Sequence, residues 1–198
     1  DTFPVVVADQ SDNAGGGAPS DSTFVLKALL DRKIDNVAIA MIWDPIVVRM
    51  ATSAGIGATL DVRLGGKMGP MSGDPLDLRV TVIGIIKDMK QEWPQTEGVI
   101  SVPCGDSVAL HCNGIDIVVN SLRSQVLSTQ VFSNFGIDLL QKRVLIVKSM
   151  QHFYAAFEPI ASEIIYMATS GSVAPLFRDI PFKRIDKNKY PWVDNPFA

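Results

Sequence analysis

Hydrophobic positions follow two different periods along this chain. Val5–Ala8 and Val37–Trp43 are short runs apolar at every position, as in strands covered on both faces of a parallel sheet. Between them, Val25, Ala28, Leu29 and Leu30 form one apolar face, which predicts a helix over Phe24–Leu30 with Asp21 or Ser22 as its cap. Asp44-Pro45 reads as an N-cap followed by proline at the first helical position, and Gly55 closes that helix. After Gly57 the period falls to two. Leu60, Val62 and Leu64, and then Leu78, Val80 and Val82, alternate with polar residues, as in half-exposed antiparallel strands. Val108–Cys112, Asn113-Gly114 and Ile115–Val119 spell a hairpin with a two-residue turn. Buried strands return at Arg143–Lys148 and Glu163–Ala168, with a short helix through Phe157 that Ser149 caps and Pro159 limits. The pattern predicts an α/β fold: a mostly parallel sheet with flanking helices and an antiparallel β insertion at about residues 58–122, in a single domain. The Pro-rich stretch from Ser170 is expected to be an ordered tail packed on something else.

Composition narrows the function classes. The 198 residues suffice for one full core, 47% of them are hydrophobic and 20% charged, and the net charge is −3. A mildly acidic chain is not expected to bind nucleic acid. No apolar run reaches membrane-spanning length and no signal-peptide pattern opens the chain, so no membrane association and a cytoplasmic location are expected. The chain begins at Asp1 rather than Met, so a preceding segment is expected. Cys104 and Cys112 are too few for a disulfide scaffold and are expected to be free.

The chemistry is expected where a strand meets a helix. Asp9 to Thr23 joins the first strand to the first helix through the triplet Gly15-Gly16-Gly17, which lets backbone amides approach a ligand. Neither the Gly-Lys-Ser/Thr ending of a phosphate-binding loop nor the G-x-G-x-x-G spacing is present, and Asp9, Asp12 and Asp21 make the loop acidic. In open α/β sheets ligands gather at the carboxyl ends of the strands, which brings Lys148, Ser149 and His152 to the same edge. The candidate substrate-binding set is therefore Asp12, Asn13, Gly15, Gly16, Gly17, Asp21, Lys148, Ser149 and His152. His152, Lys148 and Ser149 are also the candidates for catalysis, although helix capping competes as the role of Ser149. The loop is expected to place Gly16 at positive φ. Only His111 and His152 are available as imidazole ligands and no His-Glu-x-x-His occurs, so no metal site is expected within the chain. The Asn113-Gly114 turn sets His111 opposite Asp116, a pair read as structural.

Ser11–Asp21 and Val147–Phe153 together resemble the carboxy-terminal domain of the microcystinase C (MlrC) family. Ala40-Met41-Ile42-Trp43-Asp44-Pro45, Leu64-Gly65-Gly66-Lys67 and Phe157-Glu158-Pro159-Ile160-Ala161 extend the resemblance over nearly the whole chain. Two positions depart from it: the family loop usually has Pro where Ala14 stands and Gly where Ser20 stands. The resemblance implies a bacterial two-domain metallopeptidase. Its amino-terminal domain holds zinc through Asp and His residues, and the domain seen here packs against it and completes the cleft for a peptide or amide substrate. Two other readings stand beside it. One is a non-catalytic ligand-binding or regulatory module whose glycine loop holds an anion or carboxylate. The other is a small hydrolase using Ser149 and Lys148.

Overall fold

The computed structural model describes residues 4–197. Eight strands form one continuous sheet: β1 (Val5–Asp9), β2 (Val37–Trp43), β3 (Thr59–Leu64), β4 (Leu76–Gln95), β5 (Gly98–Cys112), β6 (Ile115–Asn120), β7 (Val144–Val147) and β8 (Glu163–Met167). Their order across the sheet is β3-β4-β5-β6-β2-β7-β1-β8. From β6 to β8 all neighbours run parallel, and from β3 to β6 they run antiparallel. The antiparallel segment therefore extends the parallel sheet in its own plane. β6 is the joint, bonded antiparallel to β5 on one side and parallel to β2 on the other.

Helices cover both faces. On one, Val25, Leu26 and Leu29 of α1 (Phe24–Asp31) and Val47, Val48 and Ala51 of α2 (Pro45–Ala54) pack on Ile39, Ile42, Val80, Leu110 and Ile117. On the other, Val131 and Phe132 of α3 (Gln130–Ser133) and Phe157 of α4 (Tyr154–Phe157) lie over Ala38, Ala40, Ala109, Val118 and Val147. Small residues on that second face of β2 let the aromatic rings approach the sheet. α2 forms as its sequence dictates: Pro45 takes the first helical position, the Asp44 side chain accepts from Val47 N, and Gly55 stands at its end with φ 88°. α1 differs. Its N-cap is Thr23, which makes no side-chain capping bond; the Asp21 carboxylate is bonded elsewhere, and the Ser22 hydroxyl has no hydrogen-bond partner.

The β4–β5 ribbon is longer than its alternating pattern suggests, with 20 residues in β4 and 15 in β5. Register shifts between Val82 and Gly84 and between Ile86 and Met89 reset which residues face inward, so the period of two is lost beyond Val82. No helix among the described residues is long and apolar enough to cross a membrane.

Cys104 and Cys112 are buried free thiols. Burial pushes the Cys104 thiol up to about 11, against weaker opposing hydrogen bonds from Ser124 and Gln91. A thiol that ionises later in the folded state than in the unfolded state favours folding below its unfolded pKa. That contribution is lost as pH rises through the folded value. Urea denaturation should accordingly show stability falling by roughly 2–3 kcal/mol between about pH 9 and pH 11. Cys104→Ala should flatten that slope.

Candidate functional site

The carboxyl edge of the parallel strands is built around three buried charges. Ala8 pairs with Val147, so the next residue out in β1 is Asp9, and the next beyond β7 is Lys148. The Lys148 ammonium lies 3.0 Å from Asp9 Oδ2 and 2.9 Å from Asp12 Oδ2. All three side chains are at most 1% exposed. Burial alone would depress the Lys148 ammonium, but the charges and hydrogen bonds of Asp9 and Asp12 outweigh it and hold it above the ordinary lysine value. Thr169 Oγ1 donates to Asp9 Oδ1.

Asp12 also shapes the glycine loop. Its two carboxylate oxygens accept from Ser20 N at 2.9 Å and Ser22 N at 2.7 Å, which pinches the loop shut at its base. The part between stands outward, with Gly15, Gly16 and Gly17 exposed. Asn13 Oδ1 accepts from Gly15 N and starts a single 3₁₀ turn, Ala14–Gly16. The positive φ falls on Gly17, at 94°, and not on Gly16, because the residue ending this turn is the one that must reverse the chain. A β-carbon at Gly16 would meet Val173 at an ordinary 3.5 Å.

The two positions at which the resemblance expects proline and glycine have conformations that suit those residues. Ser20 sits at φ 66°, a conformation that glycine adopts freely. Ala14 is the first residue of a 3₁₀ turn, follows an extended Asn13 and donates no backbone hydrogen bond among the described residues, all of which suit proline. Ala14→Pro should stabilise the chain by about 0.4–1 kcal/mol by restricting the unfolded state. A thermal melt would register it as a higher Tm.

Asp21 and Asp44 fasten the neighbouring loop. Asp21 Oδ2 accepts from Lys67 N and Met68 N, Oδ1 accepts from Ser72 Oγ, and the Asp21 carbonyl accepts from Gly66 N. Asp44 Oδ2 accepts from Gly65 N at 3.0 Å and pairs with Lys67 Nζ at 2.6 Å. The turn-rich segment after β3 is thus drawn into the carboxyl edge by carboxylates. The tail joins the same edge: Val173 N donates to Ser11 O, and Gly171 lies against the Ser11 backbone.

Ser149 and His152 stand differently from expectation. α4 begins only at Tyr154, with Phe153 as its N-cap residue, so Ser149 caps no helix and His152 lies in the preceding turn. Ser149 is fully buried and its hydroxyl has no hydrogen-bond partner. His152 is exposed. Its Nδ1 lies 3.1 Å from Gln125 Nε2, and its ring lies 4.8 Å from that of Trp93 on the β4 arm.

Gln125 belongs to the linker after β6, which the sequence did not single out. Gln91, fully buried on β4, organises this linker by donating to Gln125 O and accepting from Leu127 N and Ser128 N. Val126 N donates to Lys148 O. Arg123 stacks 3.8 Å above the Trp43 ring and donates to Pro19 O, tying the linker to the glycine loop. The linker after β6, the glycine loop after β1 and the turn after β7 thus meet, with the edge of the β4 arm beside them. Gly15–Gly17, Arg123 and His152 are exposed there, and the acidic residues beneath serve as fastenings.

Among the described residues no group of three or more His, Cys, Asp or Glu side chains is placed to hold a metal ion. The remaining histidine is at the other end of the strands. His111 Nδ1 lies 2.7 Å from Asp116, as the hairpin turn dictates, and Lys142 Nζ pairs with the other carboxylate oxygen at 2.6 Å.

Residues 7–184 match the family described as MlrC C-terminus. The chain is 34% identical over 168 residues to Microcystinase C of Sphingomonas sp., a match covering 85% of this chain and 32% of that protein. It also resembles the crystal structure of a protein named Putative metallopeptidase from Mesorhizobium sp. BNC1, with a TM-score of 0.81 and 22% identity, over 94% of this chain and 37% of that one. The chain thus spans about a third of each relative's length. The glycine loop, the Asp44-Pro45 corner, the Gly65-Gly66 turn and the Lys148–Phe153 turn all lie within the matched residues, and the chain belongs to the MlrC C-terminus family.

Proposed function

We propose that this chain is the cleft-completing domain of a zinc-dependent peptide or amide hydrolase, with the metal held by an amino-terminal domain of the same protein. The observation that carries this reading is the carboxyl edge itself. It is fastened from below by Asp9, Asp12, Asp21 and Lys148, and it exposes a polar rim of glycine-loop backbone and His152. Buried charges this extensively paired hold loops in one geometry, and a fixed rim is what orienting a substrate requires.

Within this reading the expected site residues divide by position. Gly15, Gly16, Gly17 and His152 face the substrate, whereas Asp12, Asn13, Asp21 and Lys148 act from beneath by setting loop geometry and Ser149 lies buried beside Lys148. The side chains along this edge supply substrate contacts, and the amino-terminal domain supplies the metal. Hydrolysis through Ser149 and Lys148 finds no support in the geometry, because Lys148 is occupied by two carboxylates and both side chains are buried. An anion-holding glycine loop is less favoured than the hydrolase reading, since family membership ties the loop to metallopeptidase-like proteins. The test is to express this domain within its longer protein and measure bound zinc and the cleavage of model peptides. A longer protein that binds zinc and cleaves peptides supports the proposal. One that does neither contradicts it.

A further inference from the structure

We infer that Gln125 is a positioning residue that fixes the tautomer of His152, so that the imidazole presents Nε2–H to the open rim as a hydrogen-bond donor for a substrate carbonyl oxygen. The substrate part of this inference rests on the hydrolase reading; the tautomer part stands on the chain alone.

The argument begins with what each atom is able to do. An amide nitrogen only donates, so the 3.1 Å contact from Gln125 Nε2 makes His152 Nδ1 the acceptor. A neutral imidazole with an accepting Nδ1 carries its proton on Nε2. Nε2 has no partner among the described residues, and His152 is exposed. The Trp93 ring, 4.8 Å away and tilted by 57°, restricts rotation of the imidazole. Gln125 is itself held. Its backbone carbonyl accepts from the buried Gln91 at 2.8 Å, and its side-chain amide fills the space a β-carbon at Gly15 would occupy, 2.5–2.8 Å from that position. Gly15 therefore has a reason to be glycine that is independent of backbone angle: a side chain there would displace the Gln125 amide. Three segments far apart in sequence thus set one imidazole edge. A donor fixed in advance toward a developing oxyanion costs no reorganisation when charge appears there.

Nitrogen-15 NMR of this chain reads the tautomer directly, and a His111→Gln variant removes the second histidine so that the remaining signals belong to His152. In the neutral imidazole, Nδ1 should be pyridine-like and Nε2 pyrrole-like. Gln125→Glu places an acceptor opposite Nδ1 and should exchange the two signatures. Gln125→Ala should give a mixture, and Gly15→Ala should do likewise. In the longer, zinc-loaded protein, Gln125→Glu should lower kcat about tenfold or more with KM little changed and metal content unaltered. A pyrrole-like Nδ1 in the parent chain overturns the inference. So do signatures that ignore Gln125→Glu, or an exchanged tautomer with unchanged kcat. A parent protein with the expected tautomer but no peptide cleavage instead overturns the hydrolase reading and removes the substrate role, leaving the positioning of His152 by Gln125 in place.

Discussion

Replacing Lys148 with methionine should cost about 3–5 kcal/mol, the range for removing one partner of a buried ion pair. Asp9 and Asp12 would be left as two carboxylates at most 1% exposed, with no cation between them. A domain of ordinary stability has only about 5–15 kcal/mol to lose, so the variant should be unfolded at modest urea or at 37 °C. The loss has a definite route. Freed of Lys148, Asp12 is driven toward water or protonation, and with it go the bonds to Ser20 N and Ser22 N that close the glycine loop. Joining Lys148→Met to Asp9→Asn and Asp12→Asn should restore part of the loss, because an uncharged set no longer needs a counter-ion. Recovery should stay incomplete, since Asn at position 12 has one acceptor oxygen where two backbone amides require two. The parent chain should also weaken at high pH for the same reason. The Lys148 ammonium is held above the ordinary lysine value, so its contribution is complete below about pH 10 and is lost as pH rises through the folded value. Urea midpoints of the parent, single and triple variants provide the check. A single variant within 1 kcal/mol of the parent would show that the triad is not the fastening described.

Gly66→Ala should be the second large effect. Gly66 has φ 62°, and a β-carbon there would stand 2.4 Å from Pro75 N and 2.5 Å from the Asp74 carbonyl carbon, both backbone atoms that cannot swing aside. The conformational strain is about 1–3 kcal/mol, and forcing the two backbone segments apart adds about 1–3 kcal/mol more. Gly57→Ala is the matched control: its φ is 86°, but nothing lies within 4 Å of the added carbon. The control should show only the strain. Comparison of the two urea midpoints separates crowding from backbone angle. Equal losses would mean that the close approach of Gly66 to the Asp74–Pro75 backbone carries no energy.

The parts of the fold that were legible rest on local rules. Asp44, Pro45 and Gly55 bound α2 because capping and proline geometry act within one or two turns of chain. His111 met Asp116 because a two-residue turn leaves the register no freedom. The interior placement of β1 and β7 followed from their apolar runs, which belong in the interior of a parallel sheet. What escaped depends on longer-range register. The carboxylates of the glycine loop looked available to a ligand. Only the pairing of Ala8 with Val147 shows that Asp9 and Lys148 lie side by side, and only then does Asp12 become the third member. Gln91 stayed invisible because register shifts in β4 change which residues face inward, so alternation counted from Leu78 no longer identifies the buried positions. Ser before an apolar segment is a common helix start, which is why the sequence offers Ser149 as a cap. The chain instead turns for several residues before α4 begins at Tyr154.

His152 is the exposed group on which the functional reading converges, and its removal tests that reading most directly. In the longer protein, His152→Ala should leave bound zinc and thermal stability unchanged, since the side chain is exposed and belongs to no metal-holding group of three or more among the described residues. Its kcat/KM for peptide cleavage should fall about 100-fold, the usual loss for one positioned donor at a reacting carbonyl. An unaltered kcat/KM, with zinc retained, would contradict the account and place the substrate away from this edge of the sheet.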